Sequence, residues 1–172
     1  MRVYLIGYMG SGKTTIGKQL ARAMELPFID LDEAVSAGES RSIETIFSME
    51  GEVAFRGLER KYLKQITDSL PSFVLSTGGG TPCFYDNMMY MKKHGVTVYL
   101  QMDVVTLVHR LVNSTTERPL LKGKGELELH DFVKRHLEER KEFYEESDVV
   151  FPAIGFNKVK LSRLLQLLST IS

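Results

Sequence analysis

The fold of this 172-residue chain is decided by the stretch Gly7-Tyr8-Met9-Gly10-Ser11-Gly12-Lys13-Thr14. It follows the apolar run VYLI, which begins at Val3, and precedes a segment in which Ile16, Leu20 and Met24 recur every four residues. The pattern G-x-x-x-x-G-K-[ST] between a buried strand and an amphipathic helix is typical of a loop that binds nucleotide phosphates. The stretch therefore predicts a strand, a phosphate loop and a helix, in that order.

Each part of this phosphate loop has a chemical reason. Glycines let successive backbone N–H groups turn toward phosphate oxygens, and the N-terminus of the following helix adds partial positive charge. In such loops the lysine, here Lys13, reaches the β- and γ-phosphates, while a hydroxyl such as that of Thr14 binds Mg²⁺. We therefore expect Mg²⁺ as the cofactor and ATP bound by Gly10, Ser11, Gly12, Lys13, Thr14 and Thr15.

Four further apolar runs extend the pattern along the chain: FIDLD from Phe28, FVLS from Phe73, VTVYLQM from Val96 and DVVF from Asp148. None of them alternates strictly between apolar and polar residues, as expected for strands that are buried on both faces. Segments of helical periodicity separate the runs. The sequence thus predicts a three-layer α/β/α fold with a central five-stranded parallel sheet, which binds ligands beyond the carboxyl ends of its strands.

The charge balance, the cysteine count and the N-terminal residues limit the binding partners and the compartment that we expect. Lys and Arg total 22 and Asp and Glu total 22, so no overall positive charge exists to attract nucleic acid or anionic lipid. The single cysteine, Cys83, cannot form a disulfide within the chain, which fits a reducing compartment. The N-terminal apolar run is too short for a signal peptide or a membrane span. We expect one domain over residues 1–172, monomeric and cytoplasmic, without a nucleic-acid or membrane partner.

Two carboxylates, Asp30 and Asp32, come at the end of the second apolar run. Residues two apart on a strand project to the same side, so both would point toward the phosphate loop if the second strand ends beside the first. One could hold Mg²⁺ through water, and the other could accept the proton of an acceptor hydroxyl. The alternative is that they cap the next helix. Asp103 presents the same choice, and its place directly before a helical segment favours an N-cap.

Two arginines are candidates for binding an anion. Arg56 and Glu59 are neighbours at i, i+3 on a helix that begins near Gly51, an arrangement that by itself indicates an ordinary ion pair. Arg140 is different, because it lies on a helical stripe that is otherwise apolar or aromatic. A buried charge of this kind needs a partner. Either an internal carboxylate such as Glu59 or a bound anion neutralises Arg140.

Two segments between regular elements also indicate function. Thr77-Gly78-Gly79-Gly80 follows the third run, and we refer to it as the glycine loop; consecutive glycines there indicate close approach to a ligand, positive φ angles or a plain tight turn. The polar stretch at about residues 112–125 carries Arg118 between two helical segments. It is predicted to be a mobile lid, with Arg118 placed to contact the transferring phosphate.

Taken together, these motifs resemble those of the shikimate kinases over nearly the whole chain. The resemblance rests on GSGKTT (Gly10–Thr15), FIDLD (Phe28–Asp32), SIETIFSMEGEVAFRGLE (Ser42–Glu59), STGGGTP (Ser76–Pro82), ERPLL (Glu117–Leu121) and ERKEFYEESD (Glu139–Asp148). It implies a kinase that transfers the γ-phosphoryl group of ATP to the 3-hydroxyl of shikimate, in chorismate and aromatic amino acid biosynthesis. The stretch Phe151–Asn157, where adenine contacts are expected, matches no motif.

The resemblance also implies roles for individual residues. Asp32 would bind the shikimate hydroxyls and act as the base, while Asp30 would support Mg²⁺ through water. The residues implied to hold shikimate are Arg56, Arg140 and the backbone amide of Gly79, with Glu59, Gly78 and Gly80 in support. Arg118 corresponds to the lid arginine on the ATP phosphates, and Arg110 to a residue near the adenine.

Two alternatives remain at this stage. A related P-loop kinase could act on another hydroxy acid, such as gluconate, or on a nucleoside monophosphate. A nucleotide-binding module without catalysis would be expected to have lost Lys13, Asp32 or Arg118, and all three are present. The combination of Asp32, Arg56, the glycine loop and Arg140 suits a small polyhydroxylated carboxylate better than a purine ring.

Overall fold

The computed structural model describes residues 1–114 and 125–171. Its strands are β1 (Arg2–Ile6), β2 (Phe28–Asp30), β3 (Phe73–Ser76), β4 (Val96–Gln101) and β5 (Val149–Pro152). The helices in the described ranges are α1 (Lys13–Met24), α2 (Leu31–Glu39), α3 (Ile43–Ser69), α4 (Asn87–His94), α5 (Val104–Val112), α6 (Glu126–Glu145) and α7 (Lys158–Ile171), with a short 3₁₀ helix at Thr81–Cys83. All five predicted strands are present.

The strands form one parallel sheet in the order β2-β3-β1-β4-β5. Successive side chains of β1 point to opposite faces, yet Val3, Tyr4 and Leu5 are all fully buried. Helices therefore cover both faces of the sheet, as the absence of alternation in the apolar runs predicts. The predicted three-layer α/β/α architecture is confirmed.

The pairing of β1 with β3 places the two glycine-containing loops side by side. Leu5 pairs with Ser76 in the register of these strands. One residue further on, the N–H and the hydroxyl of Thr77 donate to the carbonyl oxygen of Leu5 at 3.1 and 2.9 Å. The phosphate loop after β1 and the glycine loop after β3 consequently lie side by side at the carboxyl ends of these strands.

The expectation that Asp30 and Asp32 lie on one strand is wrong. Strand β2 ends at Asp30, and α2 begins at Leu31. The Asp30 carboxylate caps that helix by accepting a hydrogen bond from the Asp32 N–H at 3.1 Å. An aspartate can accept hydrogen bonds from the free N–H groups in the first turn of a helix. Because Asp30 does so, the helix starts, and the strand ends, earlier than the apolar run suggests. Asp103 likewise caps α5 through the N–H of Thr106 at 2.8 Å, which confirms the N-cap prediction.

Helix α3 is interrupted at Gly51, where the backbone adopts φ 81° and ψ 178°. This combination of positive φ and extended ψ is essentially limited to glycine, so the interruption lies where the sequence permits it. The helix predicted to begin near Gly51 is thus the second part of α3. Packing around α2 and α3 forms a small second core, separate from the main one, made of Val35, Ile46 and Phe55 with Ile43, Phe47, Leu58 and Tyr62.

Two further observations concern the predicted partners and the lid. No helix within residues 1–114 and 125–171 is both long and apolar enough to cross a membrane. The central part of the predicted lid, including Arg118, lies outside the described residues.

Candidate active site

The phosphate loop curls back on itself and holds its own lysine. Gly10 and Gly12 have φ angles of 83° and 93°, which is the left-handed region that this turn requires. The Lys13 ammonium donates to the carbonyl oxygens of Gly7 at 2.7 Å and Tyr8 at 3.0 Å. Ser11 is buried, with its hydroxyl packed against Gly7. The loop is therefore held in its curled shape by its own backbone carbonyl oxygens and by Lys13.

A cavity of about 320 Å³ lies between the phosphate loop and the glycine loop. Most of the residues predicted from the sequence to bind ATP, metal or acceptor line it: Gly10, Gly12, Lys13, Thr14, Thr15, Asp30, Asp32, Gly78, Gly79 and Arg110. Arg110 reaches it from α5 and donates to the carbonyl oxygen of Gly10 at 3.2 Å. The long-range fold thus gathers residues separated by as many as 100 positions.

Oxygen ligands suited to Mg²⁺ adjoin each other at one side of the cavity. The hydroxyl of Thr14 donates to Asp30 Oδ2 at 2.9 Å, while the other carboxylate oxygen caps α2. Of the two alternatives left by the sequence, the capping role of Asp30 is observed, and the metal role stays a prediction. Mg²⁺ prefers hard oxygen ligands and keeps several waters, so one hydroxyl and one nearby carboxylate fit it when phosphates supply the rest.

Arg56 and Glu59 form a buried ion pair, with Arg56 Nη1 donating to Glu59 Oε2 at 2.6 Å. The hydroxyl of Thr81 donates to the other oxygen of Glu59 at 2.5 Å. Burial raises the pKa of Glu59. Burial opposes the charge of Arg56, but the pairing with Glu59 outweighs it and raises the pKa of Arg56. Arg56 therefore keeps its charge at the edge of the glycine loop.

Charged side chains pack so closely against the glycine loop that two of its positions have no room for a side chain. A Cβ on Gly78 would lie 2.2 Å from Glu59 Oε1, and one on Gly80 would lie 2.6 Å from the guanidinium carbon of Arg56. Neither glycine has positive φ. The glycines thus allow close approach of the Arg56–Glu59 ion pair, whereas the predicted approach to a ligand stays a prediction.

Arg140 lies on α6 beside Gly79, and a Cβ on that glycine would be 3.5 Å from Arg140 Nη1. Its side chain is only 6% exposed. Among residues 1–114 and 125–171, no carboxylate lies within ion-pair distance of Arg140. Because Glu59 neutralises Arg56 instead, the observed arrangement favours a bound anion as the partner of Arg140.

Several contacts in this region have no role in the sequence interpretation. Glu52 accepts from Nε and Nη2 of Arg56 at 3.2 and 2.8 Å, and the i, i+4 spacing could have indicated this pair. The phenol of Tyr144 donates to the carbonyl oxygen of Gly79 at 2.5 Å. Tyr144 follows Arg140 by one helical turn, so its place on that stripe was the available signal. No local pattern could have linked Thr81 to Glu59.

Comparison with known proteins agrees with this geometry. A family model described as shikimate kinase matches residues 9–167. The shikimate kinase of Bacteroides fragilis is 44% identical over 153 residues, which cover 89% of this chain and 85% of that protein. The crystal structure of shikimate kinase from Bacteroides thetaiotaomicron matches with a TM-score of 0.93 and 40% identity, covering 98% of both chains.

A further solved structure, shikimate kinase from Acinetobacter baumannii in complex with shikimate, matches with a TM-score of 0.86 and 31% identity, over 99% of this chain and 94% of that one. The family match thus extends over the phosphate loop, the glycine loop and the helix that carries Arg140. The chain belongs to the shikimate kinase family.

Proposed function

We propose that this chain transfers the γ-phosphoryl group of ATP to the 3-hydroxyl of shikimate, giving shikimate 3-phosphate and ADP. The observation that carries the proposal is that one cavity joins a complete phosphate loop to Gly79 of the glycine loop. Behind Gly79 lies Arg140, a buried guanidinium without a carboxylate partner among the described residues. Shikimate is a carboxylate with several hydroxyls, so it supplies the anion that Arg140 lacks. The reaction belongs to chorismate and aromatic amino acid biosynthesis.

On the ATP side, the chain's contribution is positioning and charge neutralisation, which phosphoryl transfer chiefly requires. Lys13 would leave the carbonyl oxygens of Gly7 and Tyr8 and donate to the β- and γ-phosphates. Thr14 and, through water, Asp30 would hold Mg²⁺. When bound, Mg²⁺ neutralises charge on the phosphate oxygens.

On the acceptor side, Asp32 would accept the proton of the attacking hydroxyl. Its carboxylate lies against Gly78, where a Cβ would be 3.3 Å from Asp32 Oδ1. The hydroxyl oxygen then forms its bond to the γ-phosphorus while the bond to the ADP oxygen breaks, and Asp32 carries the proton away. Arg56, Arg140 and the N–H of Gly79 would hold the carboxylate and the remaining hydroxyls.

Other parts of the proposal rest on the sequence and on the family resemblance. Arg118 would contact the transferring phosphate from a lid at about 112–125, and Arg110 would lie near the adenine. Residues 1–172 would form one domain that acts as a monomer. Arginine contacts of this kind contribute about 10³-fold or more in other phosphoryl transferases, and the same scale is expected for Arg118.

The proposal is tested by measuring ADP release from ATP and Mg²⁺ with shikimate, with gluconate and without an acceptor. Release that depends on shikimate alone is the expected result. Release with gluconate instead would retain the phosphate loop but overturn the assignment of the acceptor. ATP binding without turnover on either acceptor would indicate a nucleotide-binding module.

A further inference from the structure

Tyr8 contacts both the phosphate loop and helix α6, which carries Arg140. Its backbone carbonyl accepts from the Lys13 ammonium at 3.0 Å, so its main chain is part of the phosphate loop. Its side chain is 1% exposed and extends toward α6. There the phenol oxygen and Nδ1 of His136 share a hydrogen bond of 2.9 Å, with the two rings edge to face.

His136 and Arg140 lie one turn apart on the same face of α6. The guanidinium carbon of Arg140 is 5.9 Å from the centre of the Tyr8 ring, so one phenol ring contacts both side chains. The ring of Phe132 also packs against the imidazole of His136, with ring centres 5.0 Å apart. The imidazole is therefore in contact with Tyr8 of the phosphate loop and with Phe132 of its own helix.

The charged neighbours of the imidazole are Arg140 and Glu139 on α6, and Glu52 and Arg56 on α3. Burial, reinforced by Arg140, lowers the pKa of His136 to about 4. The ring is thus neutral at neutral pH and does not repel the two arginines that face the acceptor. A neutral hydrogen-bonded ring suits a structural contact inside this charged cluster.

We propose that Tyr8 and His136 form a positioning pair, whose hydrogen bond sets the distance between the phosphate loop and the helix that carries Arg140. The inference rests on the proposed function, because that distance matters when ATP and the acceptor carboxylate are bound together. The phosphate loop is fixed by its own backbone, whereas Arg140 depends on the placement of α6. Losing the bond should therefore misplace the acceptor more than ATP.

The test compares Tyr8→Phe, His136→Leu and the double variant with wild type, in assays of ADP release that vary shikimate and ATP separately. A net hydrogen bond contributes about 1 kcal/mol, so each single variant should lower kcat/KM for shikimate about fivefold. The KM for ATP should change by less than about twofold. The double variant should lose no more than about the fivefold of either single one, because both remove the same contact.

Two further variants separate positioning from general stability. His136→Asn keeps a polar atom close to the place of Nδ1 and should restore most of the activity that His136→Leu loses. Tyr4→Phe is the matched control: Tyr4 is fully buried and its phenol shares a 3.0 Å hydrogen bond with Thr67, in the core and outside the cavity. It should lower the melting temperature without changing either KM.

The outcomes are distinguishable. Additive losses in the double variant, equal changes in both KM values, or a fall in melting temperature alone would overturn the positioning role. If wild type itself releases no ADP in response to shikimate, the proposed function fails. The pair is then tested by the same double-variant cycle on the melting temperature: additive losses overturn the hydrogen-bonded contact, and non-additive losses retain it.

Discussion

The two halves of the candidate active site, one around the phosphate loop and one around Arg56 and Arg140, are assembled in different ways. The phosphate half is local: Lys13 bonds carbonyl oxygens five and six residues away, within one loop. The acceptor half joins distant segments, since Thr81 and Glu59 are 22 residues apart, and Tyr144 and Gly79 are 65 apart. A local loop tolerates small movements of the surrounding helices, whereas the acceptor half depends on how α3, α6 and the glycine loop pack.

The largest effect is expected from a substitution that disrupts the phosphate half alone. Lys13→Met removes the ammonium that would neutralise the transferring phosphate, and kcat should fall about 10³-fold. The KM for shikimate should stay within about twofold, because no acceptor contact is lost. Steady-state ADP release measures both quantities. A large rise in that KM would contradict the independence of the two halves.

The next effect breaks the acceptor half. Arg140→Gln removes the charge that would pair with the acceptor carboxylate, a contact of about 3 kcal/mol, so the KM for shikimate should rise about 10²-fold. The KM for ATP should be nearly unchanged. Arg135→Gln is the control, because Arg135 is exposed on the same helix and, within residues 1–114 and 125–171, its side chain bonds only a backbone carbonyl, that of Asp131. Equal rises in both KM values would indicate that Arg140 is structural.

A smaller change sharpens the comparison within the acceptor half. Tyr144→Phe removes the hydroxyl that donates to Gly79, at a cost of about 1–3 kcal/mol in stability. Because the same peptide unit borders the acceptor, the KM for shikimate should rise about tenfold. Urea unfolding and steady-state kinetics give the two numbers. Lower stability with an unchanged KM would limit Tyr144 to packing.

The acceptor half also contains a buried group that titrates. Burial, followed by the nearby charge of Arg140, lowers the pKa of His136 to about 4 from its ordinary 6.5. Below pH 6.5 the unfolded chain binds more protons than the folded one. The free energy of unfolding therefore decreases as the pH falls from 6.5 toward 4. Since the side chain is half-buried, the loss near pH 5 should be about 1 kcal/mol.

His136→Asn removes this titration. The difference in urea midpoint between neutral pH and about pH 5 should therefore shrink by the equivalent of that 1 kcal/mol. An unchanged difference would show that other groups cause the acid sensitivity.

The smallest effect lies outside both halves. Gly57 is an exposed helical residue next to Arg56, and a Cβ there would meet only the Tyr85 hydroxyl, at 4.0 Å. Gly57→Ala should stabilise the protein by about 0.5–1 kcal/mol, because alanine favours the helix. Thermal unfolding tests this, and both KM values should stay unchanged. A change in the KM for shikimate would mean that the helix position itself limits binding.

The phosphate half was predictable because its signal is contiguous. A strand, a glycine-rich turn and a helix occur within one short stretch, and local backbone preferences determine their geometry. The sheet was predictable for the same reason: five short apolar runs, each separated by helical periodicity, favour one architecture. Strand order required the structure, because no local pattern states that β1 pairs with β3 and β4.

The acceptor half was only partly predictable. The run FIDLD suggested a strand through Asp32, but the capping bond of Asp30 converts its end into a helix start. The sequence left open what neutralises Arg140, because the answer depends on where the Glu59 carboxylate lies in three dimensions. The contact between Tyr8 and His136 joins residues 128 positions apart, and no periodicity could have indicated it.

The small second core has a consequence for how the molecule opens. Three buried side chains and their neighbours pack α2 and the first part of α3 against the second part of α3, and Gly51 separates the two parts of that helix. So small a core can separate before the sheet unfolds. In native-state hydrogen exchange, the amides of α2 and residues 43–50 should exchange by local opening, whereas those of β1 should require global unfolding.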